Sequence, residues 1–341
     1  MVNVTRLEHH GWANSDGRWG APATRSRRIV EEPLGSGEHS YYVVDNWARR
    51  PRGWAWIDVA GVAVDAEDRV FVFSRSQRPV QVYDRDGFFL DWWGDDVTTT
   101  AHGITVDAEG NVWLADTGDH TVRKFTPDGK PLLSLGTPHQ SAPRMGGDPF
   151  NEPTRVAVAA NGDLYVSDGY GNARIHVFSP DGEYRFGWGS PGSGPGQFSN
   201  PHAVSIGPDG RVYVCDRSNR RIQVFSADGE YEEEWSGVNL PDDLAWGPDG
   251  NAYVAELLHR VSIWSPGGER LAGWGDEGCT CPEQPPIPPC PAERQAAGQV
   301  IGPHGLAVDS QGSIYVGDLA ETYRGIDRGS RALQKFVRID A

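Results

Sequence analysis

A chain of 341 residues with 13 Trp, 11 Tyr and 11 Phe carries too much aromatic core material to stay disordered, despite 43 Gly and 25 Pro. No apolar run approaches the roughly 18–20 residues of a helical membrane span, so a membrane protein is not expected. With 31 basic against 47 acidic residues, a net charge of −16, a phosphate-binding face is not expected either, and nucleic acid is set aside as a partner.

The opening MVNVTRLEHH lacks the apolar stretch of a signal peptide; the expectation is a cytoplasmic protein, unless the start has been trimmed. Residues 1–39 read as an N-terminal arm and residues 40–341 as one domain. Its first strand is SYYVVDN, Ser40 to Asn46. Six related segments follow, starting at Val59, Ala101, Pro153, Pro201, Pro241 and Pro303; AHGITVDAEGNVWLAD and PHAVSIGPDGRVYVCD are two of them. Each has a short apolar alternation, a turn rich in Asp, Asn and Gly, and a second alternation. A third strand usually follows (IHVFSPDG, IQVFSADG), and a fourth often ends in Trp-Gly, as at Trp93, Trp188 and Trp274. Period-two alternation broken by Asp-Gly and Asn-Gly turns predicts antiparallel hairpins.

Ala60, His102, Thr154, His202, Asp242 and His304 share one register, 42, 52, 48, 40 and 62 residues apart. Four strands per unit at that period predict an all-β fold, a six-bladed β-propeller. The last unit has only three strands at the C-terminus, ending RALQKFVRID. The strand at 40–46 supplies the fourth, closes the ring and covers the open edge.

The first strand of each unit lines the central channel, and its first residue lies at one mouth. His102, His202 and His304 occupy alternate units, about 120° apart in a six-fold ring, and can converge on one axial point. Three neutral imidazoles with a further position open form the ligand set of a catalytic zinc site; iron or manganese would also suit nitrogen donors. A polar lining residue without a metal is the plainer reading of the same register. The second strand returns to this mouth. The acids there, Asp116, Asp168, Asp216 and Asp318, match the repeat and read as turn-holding groups. Arg75 and Arg217 break the pattern. Two guanidiniums near a metal call for an anion between them, and a substrate carboxylate is the natural one; surface ion pairs are the alternative. Tyr170, in DGYGNAR, lies on the same face. Beside a metal and two arginines its phenolate is expected to be favoured, making it a general base, with a purely structural turn residue as the alternative.

The motif PxGVAVD…G(I/V)YVxD…NxRIQVF resembles the NHL repeat. The run VSDGYGNARI, VCDRSNRRIQVF and the two Pro-His motifs at His202 and His304 resemble the peptidyl-α-hydroxyglycine α-amidating lyases, over about residues 57–341. The resemblance implies a zinc held by His102, His202 and His304, essential arginines at Arg75 and Arg217, and a catalytic tyrosine at Tyr170. It implies cleavage of a carbinolamide C–N bond to give an amide and glyoxylate, on a small-molecule or peptide-like substrate bearing a carboxylate. Three departures stand out. Gly305 replaces the Asp that in the family helps bind a structural calcium, leaving only backbone carbonyls at Val62 and Ile104. Asn151 and Gly171 occupy the neighbourhood of a paired-cysteine position, and Cys215 has no repeat-based partner. The copper monooxygenase that makes the substrate in animals has no counterpart in this chain.

Three long connections, residues 137–152, 190–200 and 276–302, are expected to gather at the histidine mouth, where loops carry specificity. The last holds Cys279, Cys281 and Cys290, read as a disulfide or free surface thiols rather than a metal cluster. A zinc lyase, a metal-dependent hydrolase or lactonase on the same scaffold, and a non-enzymatic binding propeller are the function classes that remain.

Overall fold

Each repeat folds as its apolar alternation requires, and the six units form six separate antiparallel sheets in a computed structural model that describes residues 27–95, 97–275 and 295–339. Blade one runs Val59–Val64, Val70–Ser74, Val80–Tyr83 and Phe89–Trp93, in that spatial order from the channel outward. Blades two to five repeat it, with inner strands Ala101–Val106, Arg155–Val158, Pro201–Ile206 and Pro241–Trp246. The inner strand of blade six is Pro303–Val308.

The turn between first and second strands explains the repeat's Asp. In blade two Asp107 accepts the Asn111 N–H (2.9 Å) through Oδ1 and the Trp113 indole N–H (2.9 Å) through Oδ2. Asp209 with Tyr213 and Asp249 with Tyr253 do the same at 3.0 and 2.9 Å. One carboxylate thus closes the turn and clasps an aromatic ring of the returning strand. The cores lie between blades. Phe71, Phe73 and Val80 of blade one pack with Ile104, Val112 and Leu114 of blade two. At the rim, Trp93 crosses to the next blade, packs at a tilt 5.1 Å from Phe125 and donates to the Pro127 carbonyl. A Cβ at Gly129 would lie 2.6 Å from the Trp93 ring, so that turn position accepts only glycine.

The ring closes as the sequence predicts. His39–Asp45 pairs antiparallel with Leu333–Arg338, Val43 opposite Phe336. Residues 28–36, however, are not a free arm. Arg28–Ser36 pairs with the closing strand and gives blade six a fifth strand. Its mostly exposed residues left no alternation to read in RIVEEPLGS.

The two strands differ in weight. Tyr41, Val43 and Val44 on the closing strand are fully buried, each worth about 1.5–3 kcal/mol. A chain starting at residue 38 is expected to keep a cooperative melt. One starting at residue 47 loses a sum comparable to a typical domain's whole stability and opens an edge strand. Circular dichroism melts and gel filtration of the two truncations check this; equal behaviour would contradict it.

Candidate metal centre

In blades two, four and six the first residue pair of the inner strand is followed by a one-residue slip in register, between Ala101 and Gly103, Pro201 and Ala203, and Pro303 and Gly305. His102, His202 and His304 are the slipped residues. A bulge of this kind re-aims a side chain, here into the channel. The three rings are buried, with centroids 4.7, 4.6 and 4.7 Å apart, close to an equilateral triangle. Blades one, three and five fill the alternate positions with Ala60, Thr154 and Asp242.

Those alternate positions orient the histidines. His102 Nδ1 lies 2.7 Å from the Thr154 carbonyl, His202 Nδ1 2.7 Å from the Asp242 carbonyl, and His304 Nδ1 2.6 Å from the Ala60 carbonyl. A carbonyl only accepts, so each Nδ1 carries the proton and each Nε2 presents a lone pair. Burial holds all three imidazoles well below their ordinary pKa; for His102, His304 and Arg75 add to it, and for His202, Arg217 does. They are neutral bases with one fixed tautomer, the state in which imidazole binds a metal.

The donor set fits a divalent cation. One ligand atom from each histidine lies within 4.8 Å of the others. His304 Nε2 is buried without a hydrogen-bond partner, a cost that a metal bond would remove. Among the described residues this is the single cluster of at least three potential metal-ligating side chains.

Tyr170 lies beside two of the histidines. Its hydroxyl lies 3.1 Å from His102 Nε2 and 2.9 Å from His202 Nε2. Its turn is anchored by Asp168, which accepts the N–H of Asn151 and an amide N–H of Asn172. Arg217 Nη1 donates to the Tyr170 oxygen (3.4 Å) and to Asp242 Oδ1 (3.1 Å), with its guanidinium 5.3 Å from the phenol ring centre. The phenolate expected beside a metal is opposed by the protein's own surroundings. Burial raises the Tyr170 pKa, Asp242 adds to the rise, and the two arginines oppose it without prevailing.

Arg75 is half-buried; Nε donates to the Ala101 carbonyl (3.3 Å) and Nη1 to Thr322 Oγ1 (3.1 Å). Its Nη2 makes no hydrogen bond among the described residues. The two arginines therefore differ: Arg217 is ion-paired with Asp242, while Arg75 meets neutral acceptors. Asp116, Asp168, Asp216 and Asp318 hold turns, each accepting backbone N–H groups of the segment entering its blade, such as Ser199 to Asp216 (2.7 Å) and Gly302 to Asp318 (2.8 Å).

A structural calcium does not fit the channel floor. A Cβ at Gly305 would lie 2.6 Å from Gly61 Cα, which excludes an Asp there. Asp243 reaches the floor instead, accepting the Leu306 N–H (2.9 Å) and pairing with Arg155 Nη1 (2.8 Å). The one carboxylate there is already ion-paired, and a calcium needs six to eight oxygens. Arg155→Leu should cost about 3–5 kcal/mol by stranding Asp243, and Arg155→Leu with Asp243→Leu should recover most of it. Urea titration measures both, and added calcium should leave the wild-type melting temperature unchanged.

The segment at 137–152 packs on the Tyr170 turn through hydrogen bonds where the resemblance implies a disulfide: Gly171 N–H to the Asn151 carbonyl (2.9 Å) and Met145 N–H to the Gly171 carbonyl (2.8 Å). The segment at 190–200 is tied down by Asn219, which donates to the Gly192 carbonyl. Cys215 is a buried free thiol. Cys279, Cys281 and Cys290 lie outside the described residues. Sequence reading missed Arg155, Asp243 and Thr322, whose partners sit in other blades.

Fold and site together define a six-bladed NHL-repeat β-propeller with three convergent channel histidines. A family described as a 6-bladed beta-propeller matches residues 149–246, and the NHL repeat matches residues 98–125. The chain is 31 % identical to NHL repeat-containing protein 3 of Homo sapiens over 304 residues, 82 % of this chain and 79 % of that protein, and it belongs to that family. It also has homologues named amidating lyases. Peptidyl-alpha-hydroxyglycine alpha-amidating lyase 1 of Drosophila melanogaster is 42 % identical over 139 residues, 37 % of this chain and 25 % of that protein. A gluconolactonase from Xanthomonas campestris shares the fold with a TM-score of 0.59 at 16 % identity, covering 94 % of this chain and 97 % of its own. No helix among the described residues is long and apolar enough to cross a membrane.

Proposed function

We propose that the protein is a zinc-dependent lyase that splits an α-hydroxyglycine-type carbinolamide into an amide and glyoxylate. The observation that carries this reading is the Tyr170 hydroxyl within 3.1 Å of two histidine Nε2 atoms of a fixed histidine triad. Homology to proteins named amidating lyases supports it.

A divalent ion held by His102, His202 and His304 would supply Lewis acidity and positive charge beside the phenol oxygen. Tyr170 Oη, as the phenolate that this charge would favour, takes the proton of the substrate hydroxyl as its C–O bond becomes the carbonyl of glyoxylate. The C–N bond breaks, and the departing amide nitrogen takes a proton back from the Tyr170 hydroxyl, so the base is restored and no oxidant or reductant is consumed. Arg75, through its open Nη2 edge, binds the carboxylate that glyoxylate keeps. Arg217 stays with Asp242 and donates to Tyr170, favouring the charged form of the phenol against burial.

The test is metal quantification on the purified protein, with a screen for glyoxylate release from N-acyl-α-hydroxyglycines. One equivalent of zinc and equimolar amide and glyoxylate are expected; iron or manganese at that stoichiometry would change the metal. Lactone opening without glyoxylate formation would replace the lyase by a hydrolase, and no stoichiometric metal would leave a binding propeller.

A further inference from the structure

Blade six carries the one α-helix among the described residues, the short Ala320–Arg324, directly after its second strand at the histidine mouth. It lies against Asp58, the residue that leads into the inner strand of blade one. Asp58 is fully buried. Its Oδ1 accepts the Glu321 N–H and its Oδ2 the Thr322 N–H, both at 3.0 Å, and Oδ2 also accepts a short hydrogen bond from the Thr322 hydroxyl. That hydroxyl, with its proton committed to Asp58, presents a lone pair to Arg75 Nη1. The Arg75 backbone N–H donates to the Asp58 carbonyl at 3.0 Å. Arg75 is therefore gripped at three points: its main chain by Asp58, its Nε by the Ala101 carbonyl beside His102, and its Nη1 by Thr322.

We propose that Asp58 and Thr322 are positioning residues that brace Arg75, so that its open Nη2 edge is aimed at the carboxylate of the substrate. The proposal deepens the reading of Arg75 as the carboxylate anchor and rests on it. Two physical points carry it. A long arginine side chain loses much rotamer freedom when it binds an anion, and a brace formed beforehand removes that cost from binding. A neutral hydroxyl between Arg75 and Asp58 also holds the guanidinium without a direct ion pair, so its charge stays available to a ligand. Arg217, paired directly with Asp242, shows the opposite arrangement.

Binding of N-acetylglycinate and of its uncharged partner N-acetylglycinamide, measured by calorimetry on the full chain, tests this without any turnover. The wild type should prefer the carboxylate, and Arg75→Ala should abolish that preference. Thr322→Val keeps shape and loses the hydroxyl; it should reduce the preference roughly 5–10-fold, the worth of one ordinary hydrogen bond, since the brace acts on the ligand only through Arg75. Amide binding should be unchanged, and Thr322→Ser should restore the preference. Equal weakening of both ligands by Thr322→Val, or no change while Arg75→Ala loses the preference, overturns the brace and leaves the anchor standing. A wild type without carboxylate preference overturns the anchor, and the brace with it. Asp58→Asn should act in the same direction as Thr322→Val; because Asp58 is buried, the Val and Ser pair decides the matter if that variant does not fold.

Discussion

Replacing His102, His202 or His304 singly by alanine is expected to lower metal content from one equivalent to a small fraction and to abolish turnover, while the propeller stays folded. Loss of even an outer partner of a metal ligand typically costs 10–100-fold in affinity or activity, so loss of a ligand should exceed about 100-fold. Each substitution also frees a carbonyl of the next blade, Thr154, Asp242 or Ala60. An unpaired buried acceptor costs about 1–3 kcal/mol, enough to lower the melting temperature by a few degrees but not to unfold a domain of this size. Elemental analysis and circular dichroism on the same samples check both halves. Full metal content in any of the three variants would remove that histidine from the centre. Anomalous scattering at the zinc edge should place a single peak on the channel axis, among the three Nε2 atoms.

Tyr170→Phe is expected to lower kcat by about 10²–10⁴-fold with metal content retained. The phenylalanine ring keeps its place beside Arg217, and His102 and His202 lose only a neutral hydroxyl neighbour. The effect should fall on kcat rather than KM, because the hydroxyl acts on a proton that moves in the transition state. Steady-state kinetics on an N-acyl-α-hydroxyglycine reads this directly. Full activity at saturating substrate would end the assignment of Tyr170 as the base.

The blade count and the triad were legible because both follow from one register repeated six times. A residue at a fixed place in each repeat must return to the same height on the channel wall, so His102, His202 and His304 needed no knowledge of packing. The Nδ1 bonds were not legible, since a backbone carbonyl leaves no mark in sequence; nor was the Arg155–Asp243 pair, which spans blades three and five across the channel. Thr322 sits in an insertion that the repeat does not cover. Nor was the burial of Tyr170 legible, which raises its pKa against the two arginines that the sequence did show. Arg28–Ser36 escaped notice because a strand laid on an outer edge, with both faces largely in water, has no need of alternation.

The direction of the histidine bonds has a mechanical consequence. Each imidazole reaches forward to the following blade, joining two to three, four to five and six to one. The ring is thus gathered into three two-blade jaws, and the joints between jaws are held by other groups, Arg75 on the Ala101 carbonyl, the Thr154 hydroxyl on the Pro201 carbonyl and Asp243 on the Leu306 N–H. An ion grasped by all three rings would pin the jaws at their common apex, like a cotter through three hinge plates. The propeller could then not spring open without first releasing its cargo. Loaded and empty forms should therefore part company most in how slowly they yield to a protease, rather than in shape.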